Sequence, residues 1–186
     1  MNLSVVAERY ARALFELALE KGVVEAVYQD SLLISSTCDA SSELKLLLKS
    51  PIINSGKKSA ILKEIFAKEV NPLTMTYLLI MVRKGREPFI QNIAVQLIGL
   101  YQVYRNILTV HFKSPAIPDT ETRKLVLGLM KNFSSADIDL KTEIDESLIG
   151  GFILNWDDKQ YDASIRREID NLRIAIAKIN LYKKEF

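Results

Sequence analysis

The sequence predicts a mostly α protein: an N-terminal six-helix bundle over residues 1–105, followed by a small α+β domain over residues 106–186. Two observations carry this expectation. Apolar residues recur at helical spacing through the first hundred positions, with proline or glycine at most of the breaks. Near Ile107 the apolar period changes from 3.6 to 2, the repeat of a half-buried strand. No Gly/Ser-rich linker intervenes, so the boundary rests on the change of period alone.

The first helix runs from about Leu3 to Lys21 and stops at Gly22. Its polar stripe is narrow (Arg9, Arg12, Glu16, Glu20). Val6, Tyr10, Ala13, Leu14 and Leu17 mark one apolar face, and Ala7, Ala11, Phe15, Ala18 and Leu19 a second. A helix on a single core needs an apolar stripe of only about 100°, so this one has apolar surface to spare. The second helix spans about Val23 to Thr37, and a short third one, "SELKLLLK", ends at Ser50-Pro51. The fourth, near Ser55 to Val70, sets Ile61, Leu62, Ile65 and Phe66 on one face and is broken by Asn71-Pro72. The fifth, "PLTMTYLLIMVRKG", is apolar nearly all round. Pro72 suits its first turn, Arg83 and Lys84 the negative end of its dipole, and Gly85 a left-handed cap. The sixth begins near Pro88 and repeats at Ile90, Ile93, Leu97, Tyr101 and Tyr104. Short connections between six helices imply a bundle.

In the second half, "ILTVHFKS" sets Leu108, Val110 and Phe112 against Thr109, His111 and Lys113, a strand with one wet face. Asp119 to Phe133 reads as a helix with Leu125, Leu129 and Met130 inward. "ADIDLKTEID" alternates again, and "GFILNW" is a further strand with Phe152, Leu154 and Trp156 on one side. Asp157-Asp158-Lys159 reads as a hairpin turn, since Asp tolerates positive φ. A last helix, with Asp162 and Ser164 as N-cap candidates, repeats at Ile165, Ile169, Leu172, Ile176 and Ile179.

Composition narrows the function. Hydrophobic residues make up 48% and charged residues 26% of 186 positions, which is the balance of a globular chain. The net charge is +2, divided as 13 basic against 10 acidic residues through Arg105 and 12 against 13 after it. Neither half has the one-sided basic charge that nucleic acid requires, so nucleic acid is not an expected partner. The single cysteine, Cys38, allows no internal disulfide. The opening "MNLSVVAERYARALFELALEKG" is charged throughout, unlike a signal-peptide core or a transit peptide. The densest apolar run, "LTMTYLLIMV", is about half of the roughly 18 residues a spanning helix needs. Membrane association is therefore expected only through partners.

No catalytic, cofactor-binding or metal-ligating residue is predicted. "NSGKKS" at Asn54 to Ser59 resembles the end of a phosphate-binding loop, but Pro51 stands where that loop needs a glycine, and Lys58 where it needs a hydroxyl. His111 is the only histidine and lies on a strand's wet face. The stretch "LIGGFILNWDDKQYDASIRREIDNLR" has the strongest appearance of a site. Yet Gly150-Gly151 leads into a strand rather than into a helix N-terminus, so a bulge or sharp entry is the expected role. Arg166 and Arg167 fall in the first turn of the last helix, where the dipole does not favour cations; one of them is expected to have a specific acidic partner.

Together these residues resemble a known family, the δ subunit of bacterial F-type ATP synthases, called the oligomycin-sensitivity-conferring protein in mitochondria. The carrying motif is Leu148-Ile149-Gly150-Gly151-Phe152-Ile153, then Asp158-Lys159, then Asp162-Ala163-Ser164-Ile165-Arg166. "YARALFELALEKG", "LLLKSPIINSGKKSAILKEIF" and "LLIMVRKGREPFIQNIAVQLIGLY" follow the family's earlier pattern in order. Asp157 and Ala163 replace glycines of that pattern, and Asn155-Trp156 a basic and an aliphatic residue. The resemblance implies a non-catalytic stator subunit without a cofactor, at the cytoplasmic face of a bacterial membrane. Residues 1–105 are then expected to bind the N-terminal segment of an α subunit on the catalytic head. Residues 106–186 would join the b subunits of the peripheral stalk. It further makes Gly150, Gly151, Asp158, Asp162, Ser164 and Arg166 structural. Around a groove for the α segment, Tyr10, Ala13, Leu14 and Leu17 are expected to face Leu78, Met81 and Val82. Two other readings rank below it: a small enzyme with an anion or nucleotide site over Gly150 to Ser164, and a helical adaptor outside the synthase.

Overall fold

A computed structural model describes residues 3–133 and 135–182. It is mostly helical with a small four-stranded sheet, and the chain divides into two compact units between Arg105 and Asn106.

The first unit holds α1 (Leu3–Glu20), α2 (Val24–Ala40), α3 (Ser42–Lys49), α4 (Ser55–Phe66), α5 (Pro72–Arg83), a 3-10 turn (Glu87–Phe89) and α6 (Ile90–Tyr104). Local chemistry sets the ends. α1 and α5 each close on a glycine in the left-handed region, Gly22 at φ 67° and Gly85 at φ 63°. Val23 N–H then reaches back to Ala18 O, and Arg86 N–H to Met81 O. Ser41, Asn54 and Asn71 cap α3, α4 and α5 by accepting from the amides of Leu44, Gly56 and Leu73. "NSGKKS" is thus a capped helix start. α4 ends at Phe66, short of the expected Val70, and buries Leu62 and Phe66 while Ile65 stays exposed.

α6 packs against both α1 and α2. It contributes Ile90, Ile93, Ala94, Leu97 and Tyr101 to the core, against Ala7, Ala11, Leu14, Phe15 and Ala18 of α1 and Val27, Ile34 and Cys38 of α2. Buried polar groups tie the more distant helices. Asp30 of α2 accepts from the Asn71 amide at 2.9 Å and from the Thr74 hydroxyl, so it holds the start of α5. Lys58 of α4, 2% exposed, donates to Glu87 at 2.7 Å and to Leu48 O at 3.1 Å. Among the described residues Glu87 Oε2 is buried without a hydrogen-bond partner. The Lys-Lys pair gives no sign in the sequence that one of its members is a core residue.

The second unit holds β1 (Ile107–Ser114), α7 (Thr120–Phe133), β2 (Asp137–Ile144), β3 (Gly151–Trp156), β4 (Lys159–Ser164) and α8 (Ile165–Tyr182). The strand order is β2-β1-β3-β4. β1 runs parallel to β2 in the register Val110↔Leu140, and α7 makes the crossover. β3 is antiparallel to β1 at Phe112↔Leu154, and to β4 at Leu154↔Tyr161. One sheet face builds the core from Val110, Phe112, Leu154 and Trp156 with Val126 and Met130 of α7. Phe112 stacks on Phe152, and Phe133 tilts against Trp156.

One expectation is corrected here. Leu125 and Leu129 do not face inward; they are 69% and 37% exposed, and Val126 joins Met130 inside. Val126 and Met130 lie four apart and share one face, which turns Leu125 outward by about 100°. The segment "KQYDAS" forms β4, the return strand of the hairpin whose turn the sequence places at Asp157-Asp158-Lys159. It is an edge strand, where side chains need not be apolar.

Candidate functional site

The expected groove residues fall into two groups. Leu14, Leu78, Met81 and Val82 are core side chains, each 4% exposed or less. The expectation that they face a partner is corrected, because the unit's own helices already cover them. Tyr10 is half-buried, and Ala13 and Leu17 are exposed. With half-buried Val6 these three repeat at i, i+4, i+7 and i+11, so they form one stripe of α1 beside its buried face.

α5 carries a second stripe that the sequence reading missed: Leu73 and Tyr77, half-buried, and Ile80, 42% exposed. The two stripes meet where the Tyr77 hydroxyl donates to the backbone carbonyl of Tyr10 at 3.0 Å. Burial, and then the neighbouring Tyr10, push the Tyr77 hydroxyl well above its ordinary pKa, so it remains a neutral donor. The i, i+4, i+7 spacing was visible in the sequence. A helix apolar nearly all round does not say which stripe stays outside, and only packing settles that.

The glycine-rich stretch comes apart in space. Gly151 pairs with Ser164 at one end of the β3–β4 hairpin, whereas Asp157 and Asp158 form the turn at the other end, beyond the Trp156↔Lys159 pair. The aspartates therefore do not face the glycines. Asp157 takes φ 47° at the turn, a conformation Asp tolerates in place of the family's glycine. Ala163 lies within β4, so no glycine is needed there. Gly150 O accepts the Ile165 amide at 3.1 Å. Gly151 has φ 78° and runs close under β4. Ser164 caps α8 by accepting from the Arg167 amide at 3.3 Å, while Asp162 shapes the turn before it. Arg167 donates to Asp162 O; Arg166 makes no ion pair among the described residues.

The Ser164 hydroxyl and then its amide hold the Asp162 carboxyl below the ordinary carboxylate pKa. A depressed folded value means that the stabilisation is complete above about pH 5, roughly one unit above the unfolded carboxylate pKa. It is lost as pH falls through the lower folded value. Asp162→Asn is therefore expected to flatten the acid limb of a melting-temperature profile below about pH 5, leaving the neutral plateau lower than wild type. An unchanged acid limb in that profile contradicts the assignment.

The remaining candidates are inert. His111 is exposed on β1, and burial raises the pKa of the Cys38 thiol. Among the described residues no three His, Cys, Asp or Glu side chains cluster as a metal site would, and no helix is long and apolar enough to cross a membrane.

Comparison with known proteins agrees across almost the whole length. The family profile described as "ATP synthase delta (OSCP) subunit" matches residues 6–176. The chain is 35% identical over 166 residues to a protein named ATP synthase subunit delta from Christiangramia forsetii, covering 89% of this chain and 90% of that one. It is 30% identical over 178 residues to the protein of the same name from Synechococcus elongatus, covering 95% and 98%. The fold resembles a chain in the cryo-EM structure of the Toxoplasma gondii mitochondrial ATP synthase hexamer. The TM-score is 0.71 at 23% identity, over 92% of this chain and 97% of that one.

Proposed function

The chain belongs to the ATP synthase delta (OSCP) subunit family, and on that premise we propose how its two units divide the work of a stator. It is a non-catalytic subunit of the F-type ATP synthase, which holds the catalytic head still while the rotor turns. The first unit acts as a six-helix bundle on the head and takes the N-terminal helical segment of an α subunit. The second joins the b subunits of the peripheral stalk. The chain lies at the membrane face through these partners.

One observation carries the head-binding role: the paired outer stripes of α1 and α5. The α1 stripe of Val6, Tyr10, Ala13 and Leu17 meets the α5 stripe of Leu73, Tyr77 and Ile80 at the Tyr10–Tyr77 contact, and Ala13 leaves room for the backbone of an incoming amphipathic helix. Magnitudes set what this surface can do alone. Six large apolar side chains, each with about 40% of its surface or less still uncovered, offer at most roughly 3–7 kcal/mol on complete burial. That corresponds to about ten micromolar at best, far from nanomolar, before association costs. A joint that survives many turnovers therefore needs further contacts with the assembled head.

Titration of the full chain with a synthetic peptide of its own α subunit's N-terminus is expected to give one-to-one binding no tighter than about ten micromolar, with helical signal gained. Ala13→Glu and Leu17→Glu are each expected to weaken it at least about tenfold, and Ala13→Glu to leave the melting temperature unchanged because Ala13 is exposed. Unchanged affinity in both variants would remove this surface from the head interface.

A further inference from the structure

The apolar seam of α8 is covered only in part. Ile165, Ile169, Leu172 and Ile176 are 42%, 39%, 62% and 57% exposed. Within its unit α8 contacts chiefly β4, the strand that leads into it. The spacing of four, three and four residues alternates the d and a positions of a heptad. Such a seam is narrower than the stripe of a core-packed helix and matches the face of a second helix crossing at a small angle.

Charge beside the seam identifies the occupant. The two e positions of that heptad are Arg166 and Arg173. Arg166 stands in the first turn of α8, where the helix dipole opposes a cation, with no ion pair among the described residues to offset it. Arg173 has only an exposed contact to Asp170 at 3.5 Å, one turn away on the same helix. Both arginines and Ile149, which is 73% exposed, line an open cleft of about 250 Å³ between α8 and the loop before β3, continuous with the seam at Ile169.

A second copy of this chain fits poorly. In a parallel self-pair Arg173 would meet Glu168 at a g position, while Arg166 would fall opposite position 161, which lies in β4 and not in the helix, leaving one attractive contact type; in an antiparallel pair, arginine would face arginine. We infer that α8 forms a two-helix coiled coil with an amphipathic partner helix that is acidic beside its own seam, and that Arg166 and Arg173 select that helix. This rests on the reading that the second unit joins the stalk, and names the element and the chemistry by which it does so.

The test uses the full chain and the soluble segment of the b subunit, titrated by calorimetry at low and moderate salt. Arg166→Glu with Arg173→Glu is expected to weaken binding about tenfold to thirtyfold and to remove most of its salt dependence. Ile169→Asp with Ile176→Asp is expected to abolish it. Arg166→Gln with Arg173→Gln, a milder change, repeats the first result at smaller size should the reversal disturb folding. If wild type binds and all three variants bind equally well, α8 is not the contact and the stalk reading survives without it. If wild type does not bind, the stalk reading itself fails and takes the inference with it. Arginine-dependent binding to vesicles of phosphatidylcholine and phosphatidylglycerol, with none to the b segment, assigns the seam to a lipid surface and overturns the proposal.

Discussion

Gly151→Val is expected to unfold the second unit under conditions where the first stays folded. At φ 78° a side chain is strained before any neighbour is considered, by about 1–3 kcal/mol. A Cβ there would also lie 2.9 Å from Ser164 Cα and closer still to Ala163 O, both backbone atoms of the paired strand. Neither can swing aside as a long side chain would, so relief requires β3 and β4 to part at the Gly151↔Ser164 pair. The combined loss is expected to reach about 4 kcal/mol or more, a large share of a small domain's stability. Trp156, the only tryptophan, sits in the second unit's core, so urea unfolding followed by its fluorescence reads this unit selectively. Gly128→Ala is the control: it lies in α7 at negative φ with open space around it, and is expected to gain up to about 1 kcal/mol. A Gly151→Val midpoint within error of wild type would mean that the glycine pair has no structural task.

The second large effect belongs to the first unit. Lys58→Met is expected to cost about 3–5 kcal/mol, because it leaves the buried Glu87 carboxylate without its cation. Leu48 O, near the end of α3, loses its donor as well. The double change Lys58→Met with Glu87→Leu is expected to recover most of that loss, since two apolar groups of similar volume need no pairing. Helical circular dichroism in urea measures Lys58→Met, Glu87→Leu and the double change as a double-mutant cycle. If Lys58→Met alone costs less than about 1 kcal/mol, the pair is solvated and its burial is not what holds α3, α4 and the 3-10 turn together.

How much was legible in the sequence follows from these cases. Period and punctuation located the helices of the first unit to within a few residues, because Gly22, Asn54, Asn71-Pro72 and Gly85 each impose a backbone geometry on their own. Period alone could not orient α7: Leu125, Val126, Leu129 and Met130 offer two apolar faces 100° apart, and only the sheet beneath chooses between them. The same ambiguity divided the groove residues, since α1 and α5 each carry more apolar surface than one contact uses. Lys58 was invisible for a different reason. A buried lysine is recognised through its partner, and Glu87 lies 29 positions away.

The sheet order has a consequence for how the second unit comes to be folded. β3 and β4 meet across a two-residue turn, a closure completed in microseconds. β1 finds its parallel partner only about thirty residues later, after α7 has formed, since Ile107 pairs with Asp137. During synthesis from the N-terminus, β1 therefore leaves the ribosome first and waits with both edges open. Its rate of maturation is set by the slow, long-range closure onto β2 and by the arrival of the hairpin on its other side. Until then "ILTVHFKS" is the part of the nascent chain most exposed to wrong pairing, and a holdase bound there would protect more than one bound anywhere on the hairpin.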